Sequence, residues 1–263
     1  MQGTNMGTGI HQLLWSALYE IDTVKGEQFP ALAADFPQSN DDFTVHTIPI
    51  RKGIKWSDGE PFTVDDYLFW WNDMVLDETI GLSTPAATRV NGEPMQVEKI
   101  DDYTLKFTFA GSNPLFLDLG ARGYYQSAWY LVPAHYLKQF LPKYSSEEAA
   151  NKKAKDLGFD NWVSLLRNRY SWALNPELPV MTPWKTVSPI NTPTWAMERN
   201  PYFWGVDTAG NQLPYIDRIT MSLAENAEVA NLRAIAGEYD IQERHMHLSK
   251  LPVFLENQKK GNY

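Results

Sequence analysis

A proline-rich segment lies in the second half of this sequence. Five prolines stand between residues 176 and 193, at Pro176, Pro179, Pro183, Pro189 and Pro193. Proline fixes φ and lacks an amide hydrogen, so this density argues against a regular helix and predicts extended crossover chain. We interpret the segment as the seam between an inserted, helix-rich unit and the return of the chain to an earlier sheet.

Composition narrows the class of protein. The 263 residues suffice for one large domain or two small ones, and the 43% hydrophobic and 21% charged shares are those of an ordinary globular chain. The net charge of −9 argues against nucleic acid as a partner, because binding phosphates requires a basic face. The net charge does not exclude a local basic patch. Cysteine is absent, which rules out disulfides, thiolate metal sites and cysteine nucleophiles.

The N-terminal residues show no targeting signal. The apolar stretch 10–18 is interrupted by His11, Gln12 and Ser16, and no stretch approaches the roughly 20 apolar residues that span a bilayer. Either the protein is cytosolic or the chain begins after a removed export signal, and composition does not separate the two. Aromatic residues make up 13% of the chain, which is typical of surfaces that bind sugars or peptides and also of a tryptophan-rich core.

The first half of the sequence predicts a strand, a turn and a helix in succession. Residues 43–50 alternate at period two and include β-branched side chains, which predicts a strand. Residues 56–61, Trp-Ser-Asp-Gly-Glu-Pro, combine side chains that bond nearby backbone with a glycine that admits positive φ, which predicts a turn. Thr63 then begins a helix as its N-cap, with Asp66 completing a capping box, and apolar residues at helical spacing continue the helix to Val75.

The rest of the chain predicts a mixed order of helices and strands. Predicted strands lie at residues 103–109, 194–198, 216–223 and 239–242. Predicted helices lie at residues 133–140, at 145–157, after a cap at Asp160, and at 225–236 before a stop at Gly237. The strand–helix–strand unit at the C-terminal end indicates an α/β core with some parallel pairing.

The sequence lacks the motifs of common catalytic and metal sites. The N-terminal glycines do not have the spacing of a phosphate-binding loop, and no nucleophile elbow Gly-x-Ser-x-Gly occurs. His245, His247 and Glu243 would share one strand face, but without a further ligand they are more typical of surface polar residues than of a metal site. Residues 207–211 resemble a calcium loop, but Ala209 stands at a ligand position, so an Asx turn is the better interpretation.

Adjacent acidic residues raise the question of a glycosidase. Asp65 with Asp66, or Asp101 with Asp102, would have to supply the two carboxylates of a hydrolytic site. Such a site needs carboxylates roughly 5–9.5 Å apart across a sugar, whereas adjacent residues of a strand point to opposite faces. A hydrolase is therefore an alternative and not the main hypothesis.

Two segments resemble the signature of a known family. The first is residues 50–66, Ile-Arg-Lys-Gly-Ile-Lys-Trp-Ser-Asp-Gly-Glu-Pro-Phe-Thr-Val-Asp-Asp. The second joins residues 198–204, Glu-Arg-Asn-Pro-Tyr-Phe-Trp, to residues 210–218, and Gly-Glu-Tyr-Asp-Ile follows at 237–241. In order and spacing they resemble the extracellular solute-binding proteins of family 5, the peptide-, nickel- and oligosaccharide-binding receptors of ABC importers. The likeness runs from about Gly7 to Ile241.

The resemblance implies an α/β fold of the periplasmic-binding-protein-like class, type II. The expected lobe has a mixed sheet and an inserted α+β subdomain. Residues 1–18 and 184–263 map onto the α/β core of the first lobe, and residues 19–183 map onto the insertion, which carries the family signature. The resemblance gives the turn at 56–59 a structural role, that of positioning the helix after Thr63.

The sequence departs from the family in its extent. Family members are longer, with an export signal, a strand before the glycine-rich start and a second lobe after the Gly-Glu-Tyr-Asp-Ile segment, and none of these is recognised here. The family's Thr-Gly-Pro-Tyr motif is replaced by Val-Ser-Pro-Ile at 187–190. The resemblance therefore implies a fragment that covers the first lobe, with the second lobe absent, and we expect weak solute binding by the fragment alone.

By resemblance, the whole receptor captures a short oligopeptide or oligosaccharide between two lobes and delivers it to a membrane permease, without making or breaking a bond. Asn5, Thr8 and His11 match the border of the family's cleft, with a loop or helix cap as the competing interpretation. Trp129 and Trp184 are candidate stacking surfaces for the solute, with core packing as the alternative. We expect a periplasmic or cell-surface-attached monomer without cofactor or metal, and not an enzyme.

Three function classes stay open at this point. They are the binding receptor, a hydrolase on the same scaffold, and a ligand-sensing module that docks to a membrane partner. The ten tryptophans favour an oligosaccharide slightly over a peptide, because sugar faces stack on indole rings.

Overall fold

The computed structural model describes residues 16–22, 24–82, 86–116, 132–242 and 247–263. The strands are β1 (Tyr19–Ile21), β2 (Gln28–Pro30), β3 (Gln38–Ser39), β4 (Val45–Pro49), β5 (Arg89–Val90), β6 (Glu93–Pro94), β7 (Gln96–Asp101), β8 (Thr104–Thr108), β9 (Trp184–Ser188), β10 (Thr194–Arg199) and β11 (Arg218–Ser222). The α-helices are α1 (Val64–Leu68), α2 (Ala134–Leu137), α3 (Glu147–Asp156), α4 (Trp162–Arg169), α5 (Ala227–Ile235) and α6 (Leu251–Gly261). Within these ranges, no helix has both the length and the apolar character that crossing a bilayer requires.

A four-stranded antiparallel sheet forms the framework of the region before the prolines. Its strand order is β3-β4-β8-β7. His46 and Ile48 of β4 lie opposite Phe107 and Leu105 of β8, and all four side chains are buried on one face. The strands predicted at 43–50 and 103–109 are therefore confirmed, each slightly shorter than predicted.

The helix that follows the signature turn begins as predicted and then changes geometry. Thr63 caps α1, and its capping box with Asp66 is complete. The predicted continuation to Val75 is wrong in type, because Phe69–Val75 is a π-helix in which Leu76 N donates to the carbonyl oxygen of Trp71, five residues back. The six members of this π-helix other than Asn72 are buried, so packing on several sides replaces the single stripe of a regular helix.

Of the two later helices of the same region, α4 has an N-cap that differs from the predicted one. Ser146 caps α3, and its hydroxyl accepts the amide of Ala149 at 3.1 Å. The cap of α4 is Asn161 and not Asp160, because Asn161 Oδ1 accepts the amide of Ser164 at 2.9 Å and the Ser164 hydroxyl reaches back to Asn161. The predicted cap is therefore wrong by one residue.

A three-stranded antiparallel sheet follows the prolines, in the order β11-β10-β9. The strands predicted at 194–198 and 216–223 and the helix predicted at 225–236 are confirmed as β10, β11 and α5, and Gly237 takes a φ of 74° after the helix. The strand predicted at 239–242 is wrong, since these residues are irregular and Ile241 is 80% exposed. Every pairing between the named strands is antiparallel, so the predicted parallel pairing is not found in the described part of the chain.

Two apolar clusters meet near the proline-rich segment. The larger cluster contains buried residues from Leu18 to Met181. The smaller one consists of Trp184, Trp195 and Met197, with Trp172 packed against it. The division into a core of residues 1–18 and 184–263 and an insertion of residues 19–183 stays a prediction. Below, "the insertion" means residues 19–183.

One buried histidine gives the four-stranded sheet a pH dependence. His46 is 2% exposed, Ser39 Oγ lies 2.7 Å from its Nδ1, and its Nε2 has no hydrogen-bond partner. Phe43, Phe109 and Phe116 surround the ring. Burial therefore lowers the pKa of His46 below its ordinary value, although the nearby carbonyl groups of Asn113 and Phe43 act in the opposite direction.

We expect acid to destabilise the protein through His46. The unfolded chain binds a proton to this histidine below about pH 6.5 while the folded chain resists it, so stability falls by up to about 1.4 kcal/mol per pH unit as the pH drops further. Urea unfolding of the His46→Gln variant between pH 7.5 and 5 should show a shallower loss. The exposed His247→Gln variant is the matched control, and an unchanged slope in His46→Gln would contradict the assignment.

Candidate functional site

The signature turn is a tight backbone reversal between Lys55 and Pro61. Trp56 N donates to the carbonyl of Glu60 at 2.8 Å, and Gly59 N donates to the carbonyl of Trp56 at 2.9 Å. Gly59 has a φ of 94°, a conformation that favours glycine because it has no Cβ. The predicted turn is thus confirmed, and its glycine is required by the backbone.

Asp66 connects this turn to the cap of α1 and to the distant start of α2. Its Oδ2 accepts the indole Nε1–H of Trp56 and the amide of Thr63, both at 3.2 Å, and its Oδ1 accepts the amide of Ala134 at 2.9 Å. Burial raises the pKa of Asp66, while these donors and His135 act in the opposite direction. The carboxylate is a structural hub and has no open side for a reacting substrate.

The helix α2 makes a second contact with the turn, through the side chain of His135. His135 Nε2 lies 2.9 Å from Asp58 Oδ2, and the imidazole packs edge-on to the ring of Trp56. The signature turn therefore holds the first turn of α2, which begins more than seventy residues later in the chain.

The proline-rich crossover is bound by both signature segments. Ser57 N donates to the carbonyl of Val180 at 2.9 Å, and Val180 N donates to Ser57 Oγ at 3.0 Å. Asn200 Nδ2 donates to the same Val180 carbonyl at 3.3 Å and to that of Thr182 at 3.0 Å. We call Ser57, Val180, Thr182 and Asn200 the crossover clamp.

Two further contacts surround the crossover clamp. A Cβ added to Gly59 would lie 3.2 Å from the ring and hydroxyl of Tyr202, and Lys55 Nζ lies 5.5 Å from the centre of that ring. Ser16 Oγ donates to the carbonyl of Met181 at 2.8 Å and accepts the indole Nε1–H of Trp204 at 3.3 Å. The first described residues, the turn and the second signature segment thus meet at one place.

The predicted ligand contacts have different positions relative to this place. Asn5, Thr8, His11 and Trp129 lie outside the described residues. Trp184 begins β9, is 8% exposed, and donates its Nε1–H to the carbonyl of Ile216 at 2.9 Å. It packs with Trp195 and Met197, as the core-packing alternative expects, and its role as a ligand contact stays a prediction.

The acidic pairs do not form a hydrolytic site. Asp65 and Asp102 both bind Lys99 at the surface, while Asp66 is the buried hub described above. Asp101 accepts the amide of Tyr103 at 2.8 Å. These carboxylates therefore serve caps and ion pairs, and none of the pairs converges on a shared space.

The loop at 207–211 is an Asx turn, as predicted. Asp207 Oδ1 accepts the amides of Ala209 and Asn211, both at 2.8 Å, and Oδ2 accepts the Tyr215 hydroxyl at 2.5 Å. The Tyr215 hydroxyl and the Asn211 groups lower the pKa of Asp207 to about 2. In the described part of the chain, no group of three or more His, Asp or Glu residues is arranged to hold a metal ion.

A surface cavity of about 330 Å³ lies in the insertion, beside the π-helix. Its walls come from the π-helix, α3, α4 and the chain between them: Asn72, Asp73, Asp77, Thr79, Leu141, Pro142, Lys143, Glu147 and Trp162. The carboxylate of Asp73 accepts hydrogen bonds from Lys143 and Tyr144. The most buried acid of the cavity is therefore already neutralised within the chain.

Comparisons with known proteins agree with the resemblance of the two signature segments. The sequence profile of the bacterial extracellular solute-binding proteins, family 5 Middle, matches residues 27–263. The chain is 34% identical over 246 residues to the periplasmic alpha-galactoside-binding protein of Rhizobium meliloti (strain 1021), covering 93% of this chain and 32% of that protein. It is 24% identical over 248 residues to the periplasmic oligopeptide-binding protein OppA of Salmonella typhimurium, covering 86% of this chain and 37% of that protein.

Solved structures show the same likeness. An oligopeptide-binding protein OppA matches 97% of this chain and 40% of its own, with 38% identity and a TM-score of 0.85. The periplasmic binding protein MelB of Agrobacterium fabrum C58, solved in complex with stachyose, matches 98% of this chain and 36% of its own, with 31% identity and a TM-score of 0.71. The fold is that of a type II periplasmic binding protein, and the chain spans about a third of the length of the two curated relatives.

Proposed function

This chain belongs to the bacterial extracellular solute-binding proteins of family 5, and from that membership we propose an extracytoplasmic receptor of an ABC importer. In this proposal the receptor captures a short oligopeptide or oligosaccharide and delivers it to a membrane permease. The observation that carries the proposal is the family match across residues 27–263. The hydrolase alternative finds no support, because the matched family and relatives are binding proteins.

Both solute classes have support from relatives. The α-galactoside-binding relative and the stachyose-bound structure are more than 30% identical to this chain and favour an oligosaccharide. The OppA structure with 38% identity favours a peptide. The high tryptophan content fits sugar stacking, and a calorimetric comparison of the two classes decides between them.

The proposed contacts follow the family's cleft border. Asn5, Thr8 and His11 are proposed as polar contacts to the solute, and Trp129 as a stacking surface. Trp184 is kept as a proposed contact, although its indole nitrogen is already bonded to Ile216. Since the chain spans about a third of its curated relatives, we propose that solute lies between this lobe and a second one.

Calorimetry tests this function. A protein of the relatives' length that contains this chain is expected to bind either stachyose or a short oligopeptide with 1:1 stoichiometry. Residues 1–263 alone should bind the same solute far more weakly, because half of the enclosing surface is missing. Absence of heat with both solutes in the longer protein would contradict the receptor proposal, and equal affinity of the two proteins would contradict the two-lobe cleft.

A further inference from the structure

The crossover clamp joins the two apolar clusters through backbone groups. The carbonyl of Val180 accepts two hydrogen bonds, one from Ser57 N in the signature turn and one from Asn200 Nδ2 after β10. Val180 lies in the larger cluster, whereas Asn200 directly follows the strand that supplies Trp195 and Met197 to the smaller one. One carbonyl oxygen therefore carries a direct link between the insertion and the three-stranded sheet.

Asn200 is fully satisfied and fully buried. Its exposed fraction is 0%, and Nδ2 binds the carbonyls of Val180 and Thr182. Oδ1 accepts the amide of Tyr202 at 2.9 Å, and the backbone N donates to the carbonyl of Pro183 at 2.8 Å. A smaller or apolar side chain would leave buried polar groups without partners, which is costly in a protein interior.

The insertion contains a natural counterpart of this residue. Asn175 is 2% exposed; its Nδ2 donates to the carbonyl of Arg169 and to the Tyr136 hydroxyl, and its Oδ1 accepts the amide of Glu177. Its partners all lie within the insertion, so its contacts stabilise that unit without reaching the three-stranded sheet. Asn175 and Asn200 thus differ mainly in what they connect.

We propose that Asn200 is a positioning residue that acts through Val180 and Ser57 to couple the insertion to the three-stranded sheet. The insertion and the three-stranded sheet then unfold together, so a loss of stability in the insertion also lowers the stability of the sheet. This coupling would keep the insertion in place against the three-stranded sheet while solute binds. That consequence rests on the proposed function. The coupling itself does not, and it can be measured without solute.

Hydrogen exchange at increasing urea tests the coupling in the 263-residue chain. Protection is followed at amides of β4 and β8 for the insertion, and of β9 and β10 for the three-stranded sheet. Asn175→Ala removes partners of buried groups and should lower protection in both sheets by the same factor, about tenfold or more. In the Asn200→Ala background, the same change should lower protection in β9 and β10 by a much smaller factor than in β4 and β8, because, among the described residues, mainly the packing of Trp172 on Trp195 and the bond from Ile190 to Ala173 then join the parts near Asn175 to that sheet.

Two results would overturn the proposal. One is an effect of Asn175→Ala confined to β4 and β8 when Asn200 is intact, and the other is an effect on β9 and β10 that is undiminished without Asn200. Should Asn200→Ala fail to fold, Asn200→Asp takes its place, because its carboxylate still accepts the amide of Tyr202 but cannot donate to the carbonyls of Val180 and Thr182. Weaker transmission in that background supports the coupling, and unchanged transmission refutes it. Solute binding is measured separately, so its failure would concern only the proposed function.

Discussion

Replacing Asp66 by alanine is expected to lower the free energy of unfolding by about 3–5 kcal/mol, because two buried donors and one half-buried donor lose their acceptor at once. These donors are the indole nitrogen of Trp56 and the amides of Thr63 and Ala134. The side chain of Asp66 is buried against the core, so water does not readily replace it. Urea unfolding followed by tryptophan fluorescence at pH 7.5 measures the loss.

The neighbouring carboxylate is the matched control for this experiment. Asp65 is exposed and binds Lys99 at 2.9 Å, so Asp65→Ala should cost at most about 1 kcal/mol, as is usual for surface ion pairs. Asp66→Asn should fall between the two, since Oδ1 still accepts while the amide group faces donors. Similar losses for Asp65→Ala and Asp66→Ala would contradict the assignment of Asp66 as the hub.

The local part of this hub could be predicted from the sequence, and the distant part could not. Thr63 and Asp66 stand three residues apart, and a capping box depends only on that spacing. Ala134 lies 68 residues from Asp66 and contributes a backbone amide, which has no sequence signature. The sequence places Trp56 in the turn, but the hydrogen bond from its indole to Asp66 depends on how the turn folds back onto α1.

The differences between the predicted and the observed secondary structure have local physical causes. Asp160 and Asn161 are both good N-cap residues, and the reciprocal pair of bonds decides between them: Ser164 N donates to Asn161 Oδ1, and Asn161 N donates to Ser164 Oγ. The apolar spacing up to Val75 predicts a regular helix, but packing around Phe69–Val75 selects a π-helix. Residues 239–242 have strand-like side chains, but among the described residues no strand pairs with them, and strand formation depends on a partner.

The junction between the two signature segments has no sequence signal, for a related reason. Each segment is recognisable on its own, yet nothing in either sequence indicates that the two meet. Their contact runs through the carbonyl of Val180 and through the approach of Tyr202 to Gly59, where the glycine has no side chain to signal it. The proline density marked the crossover, because proline acts on the local backbone, but did not indicate what binds it.

Replacing Glu20 by glutamine is expected to stabilise the protein at neutral and alkaline pH. Glu20 lies in β1 opposite Phe29, and burial raises its pKa to about 7, although the amide of Ala17 acts in the opposite direction. Between the ordinary pKa near 4.5 and the folded value near 7, the folded chain holds a proton that the unfolded chain has lost. Stability therefore falls as the pH rises through this window, and above pH 7 the charged carboxylate costs about 2–3 kcal/mol.

Glutamine keeps an oxygen that can accept the Ala17 amide and never carries the charge, so Glu20→Gln should differ little from the parent at pH 4.5 and gain most of that stability by pH 8. Urea unfolding at pH 4.5, 6 and 8 gives the three values needed. Glu27→Gln, an exposed position of the same hairpin, is the control and should show no such growth with pH. The protein also loses stability in acid through His46. The comparison of Glu20→Gln with its parent is therefore best made in the His46→Gln background, where the remaining dependence of stability on pH is free of the His46 contribution. A gain that is the same at all three pH values would mean that the pKa of Glu20 is the same in the folded and the unfolded chain, which would contradict the prediction.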